Sequence, residues 1–205
     1  EVRLNKKRCK PSDRIAAGGY GAVAIGFIHS YLNPAHERRA REIIAATIDL
    51  PISISSEVSP QMREFERFNT VCANAYVRPQ MADYLARLQT RLRDMGADCP
   101  VFMIHSGGGL ISVETASEFP VRLVESGPAG GAILARAVAA ENDARRAVAF
   151  DMGGTTAKLS VVDDGEPLVA YSFEAARTKR FMEGSGLPIK ISTIELIEIG
   201  AGGGS

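Results

Sequence analysis

"AVAFDMGGTTAKLSVVDDG", residues 147–165, sets two glycines and two threonines directly behind an apolar run that ends in an aspartate. Ala147 to Phe150 reads as a strand, and Ala157, Leu159 and Val161, alternating with Lys158, Ser160 and Val162, read as a second. The glycines therefore fall in a strand-to-strand turn. The Walker phosphate loop and the dinucleotide fingerprint both lead into a helix, and neither GK[ST] nor GxGxxG is spelled here. In a hairpin, Gly153 and Gly154 can take positive φ, letting the N–H groups from Gly153 to Thr156 point into one concavity that receives a phosphate. Asp151, at the end of the first strand, would face the same anion. A carboxylate is tolerable there with a cation or an activated water between them, which points to magnesium. A tight turn with a solvated aspartate fits the same residues, because Asp and Gly are both common in turns.

Upstream, "SGPAGGAILARAVAAENDARRAVAF", residues 126–150, reads as a helix that runs into the first strand. Ser126 is placed to cap it, Pro128 suits its first turn, and Ala132 to Ala140 are strong helix formers. Gly127, Ala129, Gly130 and Gly131 let another backbone approach closely, for tight packing, for two lobes closing on a ligand, or for direct anion binding.

The rest of the chain is consistent with an α/β protein: a mixed sheet with flanking helices. "YGAVAIGFIHS" reads as a strand ending at His29, and "NPAHERRAREIIAA" as a helix capped by Asn33. "PISISS" reads as a short strand, and residues 61–95 as a long helix with Phe65, Phe68, Cys72, Ala75, Tyr76, Leu85, Leu88 and Leu92 on its apolar side. Pro79 is expected to kink or divide that helix. "PVFMIHSGGG" repeats the pattern of a strand followed by His-Ser, and "LISVETASEFPVRLV" is expected to be an extended excursion. In open α/β sheets ligands bind beyond the carboxyl ends of the strands. His29, Glu57, His105, Ser106 and Asp151 are therefore candidate cleft-lining residues. Two histidines with Glu57 can bind a divalent metal or shuttle protons, or each can be an ordinary hydrogen-bonded strand-end residue. Lys158 either touches phosphate or faces solvent. The glycines of "HSGGGL" allow a second backbone nest. Glu64 with Arg67, and Thr70 with Asn74, stand one helical turn apart and read as surface pairs.

With 24 acidic and 24 basic side chains among 205 residues there is no net field to attract nucleic acid. No apolar run reaches membrane-spanning length, and the charged start "EVRLNKKRCK" lacks a signal-peptide core, so a cytoplasmic setting is expected. Cys9, Cys72 and Cys99 form no CxxC, which argues against a disulfide framework or structural zinc, and Cys72 is expected to be a core thiol.

Taken together, "HSYLNPAHERR", "SSEVSPQMREFERFNTVCANAYVRP", "SGPAGG", "FDMGGTTAKLSVVDDGEP" and "RTKRFMEGSGLPIKISTIELIEIGAGGGS" resemble the A-subunit side of the hydantoinase and oxoprolinase family over residues 21–205. The resemblance implies part of an actin-like, sugar-kinase-like (ribonuclease H-like) ATPase architecture, cut from a longer protein. It implies three parts: an irregular segment over residues 1–20, an alternating strand–helix lobe over 21–145, and a strand-rich phosphate-hairpin lobe over 146–205. It further implies ATP and Mg2+ as cofactors, and a cyclic amide or imide whose carbonyl is activated by phosphorylation. A ketone carboxylase subunit or a non-catalytic nucleotide-gated module are the alternatives. The implied partner is a B-type subunit or a fused equivalent. Asp151 is the implied catalytic and metal-binding residue. Gly153, Gly154, Thr155 and Thr156, with Gly202, Gly203 and Gly204 of the last loop, are the implied cofactor contacts.

Overall fold

The computed structural model describes residues 14, 15, 17–179, 182 and 184–204. The charged opening stretch with Cys9 and the terminal Ser205 lie outside them. The described residues fall into two compact units, divided after Pro79.

In the first unit, β1 (Val23–Ile25) and β2 (Ile52–Ile54) run parallel, Val23 opposite Ile52 and Ile25 opposite Ile54. The crossover that a parallel pair requires is supplied by α1 (Ala35–Ala45). A single helical turn, α2 (Ser55–Val58), follows β2, and α3 begins at Glu64 and runs to Asp94. The first strand is shorter than its apolar run suggests. It stops at Ile25, and His29 sits beyond it in a turn with φ of 58° rather than at the strand end. Asn33 does receive the helix start: its Oδ1 accepts the Ala35 N–H at 3.1 Å, while Pro34 occupies the capping position.

The structure departs from the expected α3 in two respects. Pro79 lies inside one continuous helix and does not divide it. On the N-terminal half, Cys72, Phe65 and Tyr76 are exposed, Tyr76 at 87 %, and the buried face is Arg67, Thr70, Val71, Asn74 and Ala75. The polar members of that face have hydrogen-bond partners, Thr70 Oγ1 donating to the Glu66 carbonyl at 2.6 Å. Asn74 Nδ2 donates to Ser53 Oγ at 3.0 Å, and Arg78 Nη1 to the Ile52 carbonyl at 2.7 Å. Hydrogen bonding removes most of the cost of burying polar groups. Cys72 is consequently a surface thiol, not a core one.

The second unit opens with the C-terminal part of α3 and an antiparallel hairpin of β3 (Phe102–Ile104) and β4 (Leu110–Ser112). Beyond β4 the expected extended excursion is instead helical: α4 (Val113–Glu118), then a 3-10 turn at Pro120–Leu123. Ser112 Oγ accepts the Thr115 N–H at 3.2 Å and caps α4, turning Val113 and Ala116 onto Leu85, with Met81 and Leu88 beside them. Next comes α5 (Ser126–Glu141). Its capping position is held by Glu125, not by Ser126.

The remaining strands are β5 (Arg146–Met152), β6 (Ala157–Asp163), β7 (Glu166–Pro167), β8 (Val169–Ala170), β9 (Phe173–Ala175), β10 (Leu187–Ile189), β11 (Thr193–Ile194) and β12 (Ile197–Ile199). β12, β6 and β5 lie side by side with β7 also paired to β6, while β9 pairs with β10 and β8 with β11, all antiparallel. α5 lies against β5 and β6. Ala147, Ala149 and Asp151 share a face with Val162, Ser160 and Lys158, and there Ser160 and Val162 are buried. The other face carries Val148, Phe150, Met152, Val161, Ile197 and Ile199, each between 37 % and 64 % exposed. The architecture is mixed α/β, with a parallel pair in one unit and antiparallel strands in the other.

Candidate functional site

The hairpin forms where the sequence places it. Met152 pairs with Ala157, and Gly153 donates its N–H to the Thr156 carbonyl at 3.0 Å, closing the turn. Gly153 is thereby withdrawn from the row of amides expected to face an anion. Among the described residues no hydrogen bond takes up the N–H of Gly154, Thr155 or Thr156. Neither Gly153 nor Gly154 has positive φ, and a Cβ built on Gly154 meets nothing within 4 Å. The fold itself therefore places no steric demand for a glycine at position 154.

β12 pairs with β6 through Ile197 opposite Leu159 and Ile199 opposite Ala157, which carries the chain back to the same turn. Gly203 and Gly204 donate to the carbonyls of Gly153 and Gly154, each at 3.0 Å. The two glycine runs are thus brought together. Gly202 is required by this approach, because a Cβ there would stand 2.4 Å from the Gly154 oxygen and the Thr155 nitrogen. Gly202→Ala is expected to separate the loops while leaving the strands paired. Hydrogen exchange should show lost protection at the Gly203 and Gly204 amides, with protection across β5 and β6 unchanged.

Asp151 is exposed on β5 and has Lys158 as its direct cross-strand neighbour. The Lys158 ammonium bonds to Glu125 and lies 3.9 Å from Glu198. Glu125 immediately precedes α5 with φ of 63°, a left-handed conformation that costs a non-glycine residue about 1 kcal/mol. Asp151 and Lys158 both line a cleft of about 650 Å3 between α5 and the sheet, floored by Ala147, Ala149 and Ser160. Lys158 also lines a more polar cavity of about 840 Å3 with Glu125, Glu174, Arg177 and Glu198.

His105 and Ser106 are bound up in their own turn. His105 Nδ1 accepts the Gly107 N–H at 3.0 Å, its carbonyl accepts Gly108 N–H at 2.8 Å, and its N–H donates to Gly109 at 2.9 Å. The glycines wrap the imidazole so closely that a Cβ on Gly109 would fall 2.6 Å from Nε2. The amides of Gly107 and Gly108 are thus consumed within the turn. The Ser106 hydroxyl lies against the carbonyls of Arg122 and Val124, its N–H donates to Arg122, and its own carbonyl accepts from Ile194. Ser106 therefore braces the loop and is not placed as a nucleophile. Burial, and then the nearby Arg122 charge, hold the His105 imidazole below its usual value of 6.5. The unfolded chain takes up that proton first, so stability is expected to fall as pH drops below 6.5. Urea unfolding of wild type and His105→Gln at pH values either side of that point checks this, the variant losing this part of the pH dependence.

In the first unit, His29 is exposed and donates its backbone N–H to Glu64 Oε1 at 3.1 Å. Glu57 is neutralised by Arg41 at 2.6 Å and Arg38 at 3.8 Å. Among the described residues no three His, Cys, Asp or Glu side chains gather as a metal-holding group. The donor set around the hairpin is the Asp151 carboxylate beside the backbone amides of the turn. That suits magnesium carried by nucleotide phosphates, which binds through one or two carboxylates, and not an all-protein cage.

The surface pairing expected of Glu64 with Arg67 and of Thr70 with Asn74 is corrected here, because Arg67, Thr70 and Asn74 are fully buried and Arg67 belongs to an interior polar network. Glu37, fully buried, accepts from Ser55 Oγ at 2.6 Å, Ser56 N–H at 2.8 Å and Phe27 N–H at 2.8 Å. Arg67, also fully buried, donates to Ser55 Oγ at 3.0 Å and to the carbonyls of Phe27 and Gln61 at 2.7 and 3.1 Å. The available signal was the polar series Arg67, Thr70, Asn74, Arg78 at helical spacing.

The sequence model of the hydantoinase/oxoprolinase family matches residues 67–205, and the chain belongs to that family. The caprolactamase subunit alpha of Pseudomonas jessenii is 32 % identical over 90 % of this chain and 25 % of its own length. The crystal structure described as the ATP-dependent caprolactamase from that organism superposes with a TM-score of 0.77 and 31 % identity, over 94 % of this chain and 27 % of the solved one. The nucleotide-free structure of acetone carboxylase, whose acetone carboxylation is described as ATP-dependent, gives a TM-score of 0.74 and 25 % identity over 93 % of this chain and 26 % of the other. A protein of Methanocaldococcus jannaschii is 36 % identical over 96 % of this chain and 29 % of its own length. The chain thus spans between a quarter and a third of these relatives. Its fold is consistent with part of an actin-like ATPase. Among the described residues no helix is long and apolar enough to cross a membrane.

Proposed function

We propose that the chain is the phosphate-hairpin portion of an ATP-dependent enzyme that opens a cyclic amide or imide, activating the carbonyl by phosphorylation. The observation that carries this reading is the turn itself: three successive backbone amides, Gly154 to Thr156, without hydrogen-bond partners among the described residues, beside the exposed Asp151. Those amides bind and orient phosphate oxygens at a fixed position, which needs no reorganisation as charge shifts during transfer. The loop of Gly202 to Gly204 braces the turn through its bonds to the Gly153 and Gly154 carbonyls. Asp151 holds the cation or orients the attacking group. Magnesium bound there would neutralise phosphate charge and align the nucleotide tail.

Residues 146–205 serve as the phosphate-hairpin lobe in this reading, and the enzyme works in the cytoplasm with a B-type subunit or a fused equivalent. The naming of a relative as subunit alpha supports a multi-chain enzyme. A second reading, the nucleotide-binding subunit of a ketone carboxylase, is favoured by the likeness to acetone carboxylase.

The intact protein, given ATP, magnesium and a panel comprising a lactam, a hydantoin and 5-oxoproline, is expected to release ADP and ring-opened product in equal amounts. Nucleotide breakdown stimulated by a ketone with bicarbonate, and by no ring substrate, would decide for the carboxylase. Binding of ADP without turnover on either panel would leave a nucleotide-gated module.

A further inference from the structure

We propose that Glu125 is a positioning residue for Asp151: it holds the Lys158 ammonium away from that carboxylate and so keeps Asp151 open to a cation. The inference rests on the reading of Asp151 given above.

A lysine directly opposite an aspartate in an antiparallel pair ordinarily bonds to it, since the two side chains leave the same face about 5 Å apart. Lys158 has that relation to Asp151 on β5 and to Glu198 on β12. Its ion pairs bypass Asp151. They run to Glu125 and, at 3.9 Å, to Glu198, with none to Asp151 among the described residues. The two pairs differ in kind. Glu198 is 51 % exposed and well screened by solvent, whereas the Lys158 and Glu125 side chains are 19 % and 21 % exposed.

The backbone at Glu125 supports the same assignment. With φ of 63° it occupies a conformation that glycine or asparagine takes more readily, and strain of this kind collects where a side chain must be aimed. Here the strained residue is the one whose carboxylate reaches Lys158. An ammonium resting on Asp151 would compete directly with a divalent cation for the same oxygens, so diverting it preserves the site without removing the lysine's charge from the cleft wall.

The test uses Glu125→Gln, Lys158→Met, the double variant and Asp151→Asn in the intact protein. Two measurements are made: calorimetric titration with magnesium and ADP, and crystal structures without nucleotide. Glu125→Gln is expected to weaken Mg·ADP binding about tenfold, the scale of a close charge-pair change, and its crystals should show Lys158 Nζ on Asp151. The double variant should recover the lost affinity, which a merely structural role of Glu125 would not allow. Wild-type affinity in Glu125→Gln, or a double variant as weak as Glu125→Gln alone, would overturn the proposal. Asp151→Asn binding as tightly as wild type would overturn the site reading itself. That outcome is distinguishable, because the position of Lys158 in Glu125→Gln crystals does not depend on nucleotide.

Discussion

Glu37→Gln is expected to destabilise the first unit by about 3 kcal/mol in urea titrations, in the range measured when one partner of a buried charged network is removed. The native carboxylate accepts three hydrogen bonds, from the Ser55 hydroxyl and from the Ser56 and Phe27 amides. A glutamine presents one acceptor oxygen and turns an NH2 toward a donor, leaving at least one buried N–H unpaired. The effect extends along the relay, since Ser55 also receives the Arg67 guanidinium, which in turn fixes the carbonyls of Phe27 and Gln61. The pH response follows with a definite sign. Burial alone would raise the Glu37 carboxyl, but the bonds from Ser55, Ser56 and Phe27 together outweigh it and hold the group below its usual 4.5. Its contribution is therefore present above pH 4.5 and is lost as the pH falls through the lowered native value. Glu37→Gln should flatten the acid limb of the stability curve, and an unchanged limb would show that other carboxylates govern acid unfolding.

Asp151→Asn is expected to lower substrate-stimulated ATP turnover in the intact protein about 100-fold or more, the scale typical of losing one preorganised charged group in the transition state. The substitution is nearly isosteric and sits at an exposed strand end, so folding should be preserved, with the urea midpoint within error of wild type. Turnover that survives intact would remove Asp151 from the chemistry and leave the turn amides as the whole of the site.

The hairpin was legible because two signals coincide: alternating apolar residues on both sides and a glycine pair between them. Which side of the sheet would be covered was not. Both faces of β5 and β6 carry apolar residues, and the choice is made by α5, whose docking buries Ser160 and Val162 while Phe150 and Val161 stay exposed. The α4 segment was misread for a related reason. Val113 and Thr115 are β-branched and favour extended chain, but a cap bond from Ser112 and burial of Val113 and Ala116 against Leu85 outweigh that preference. The Glu37–Ser55–Arg67 relay was out of reach because its members are separated by 18 and 12 positions, joined only once β1 and β2 pair. At the candidate site the sequence placed the hairpin turn but overcounted its open amides, since the closing bond of Gly153 depends on register. It also gave no sign that Glu125 would meet Lys158 across 33 residues.

The uncovered side of the central sheet has a practical corollary for bench work. Six large apolar side chains, Val148, Phe150, Met152, Val161, Ile197 and Ile199, form a continuous greasy plane when residues 1–205 are expressed by themselves. Such a product is expected to clump on concentration and to need detergent or an engineered charge on that plane to stay dispersed. Light scattering of Phe150→Lys beside the unaltered product would register the difference before any nucleotide is added.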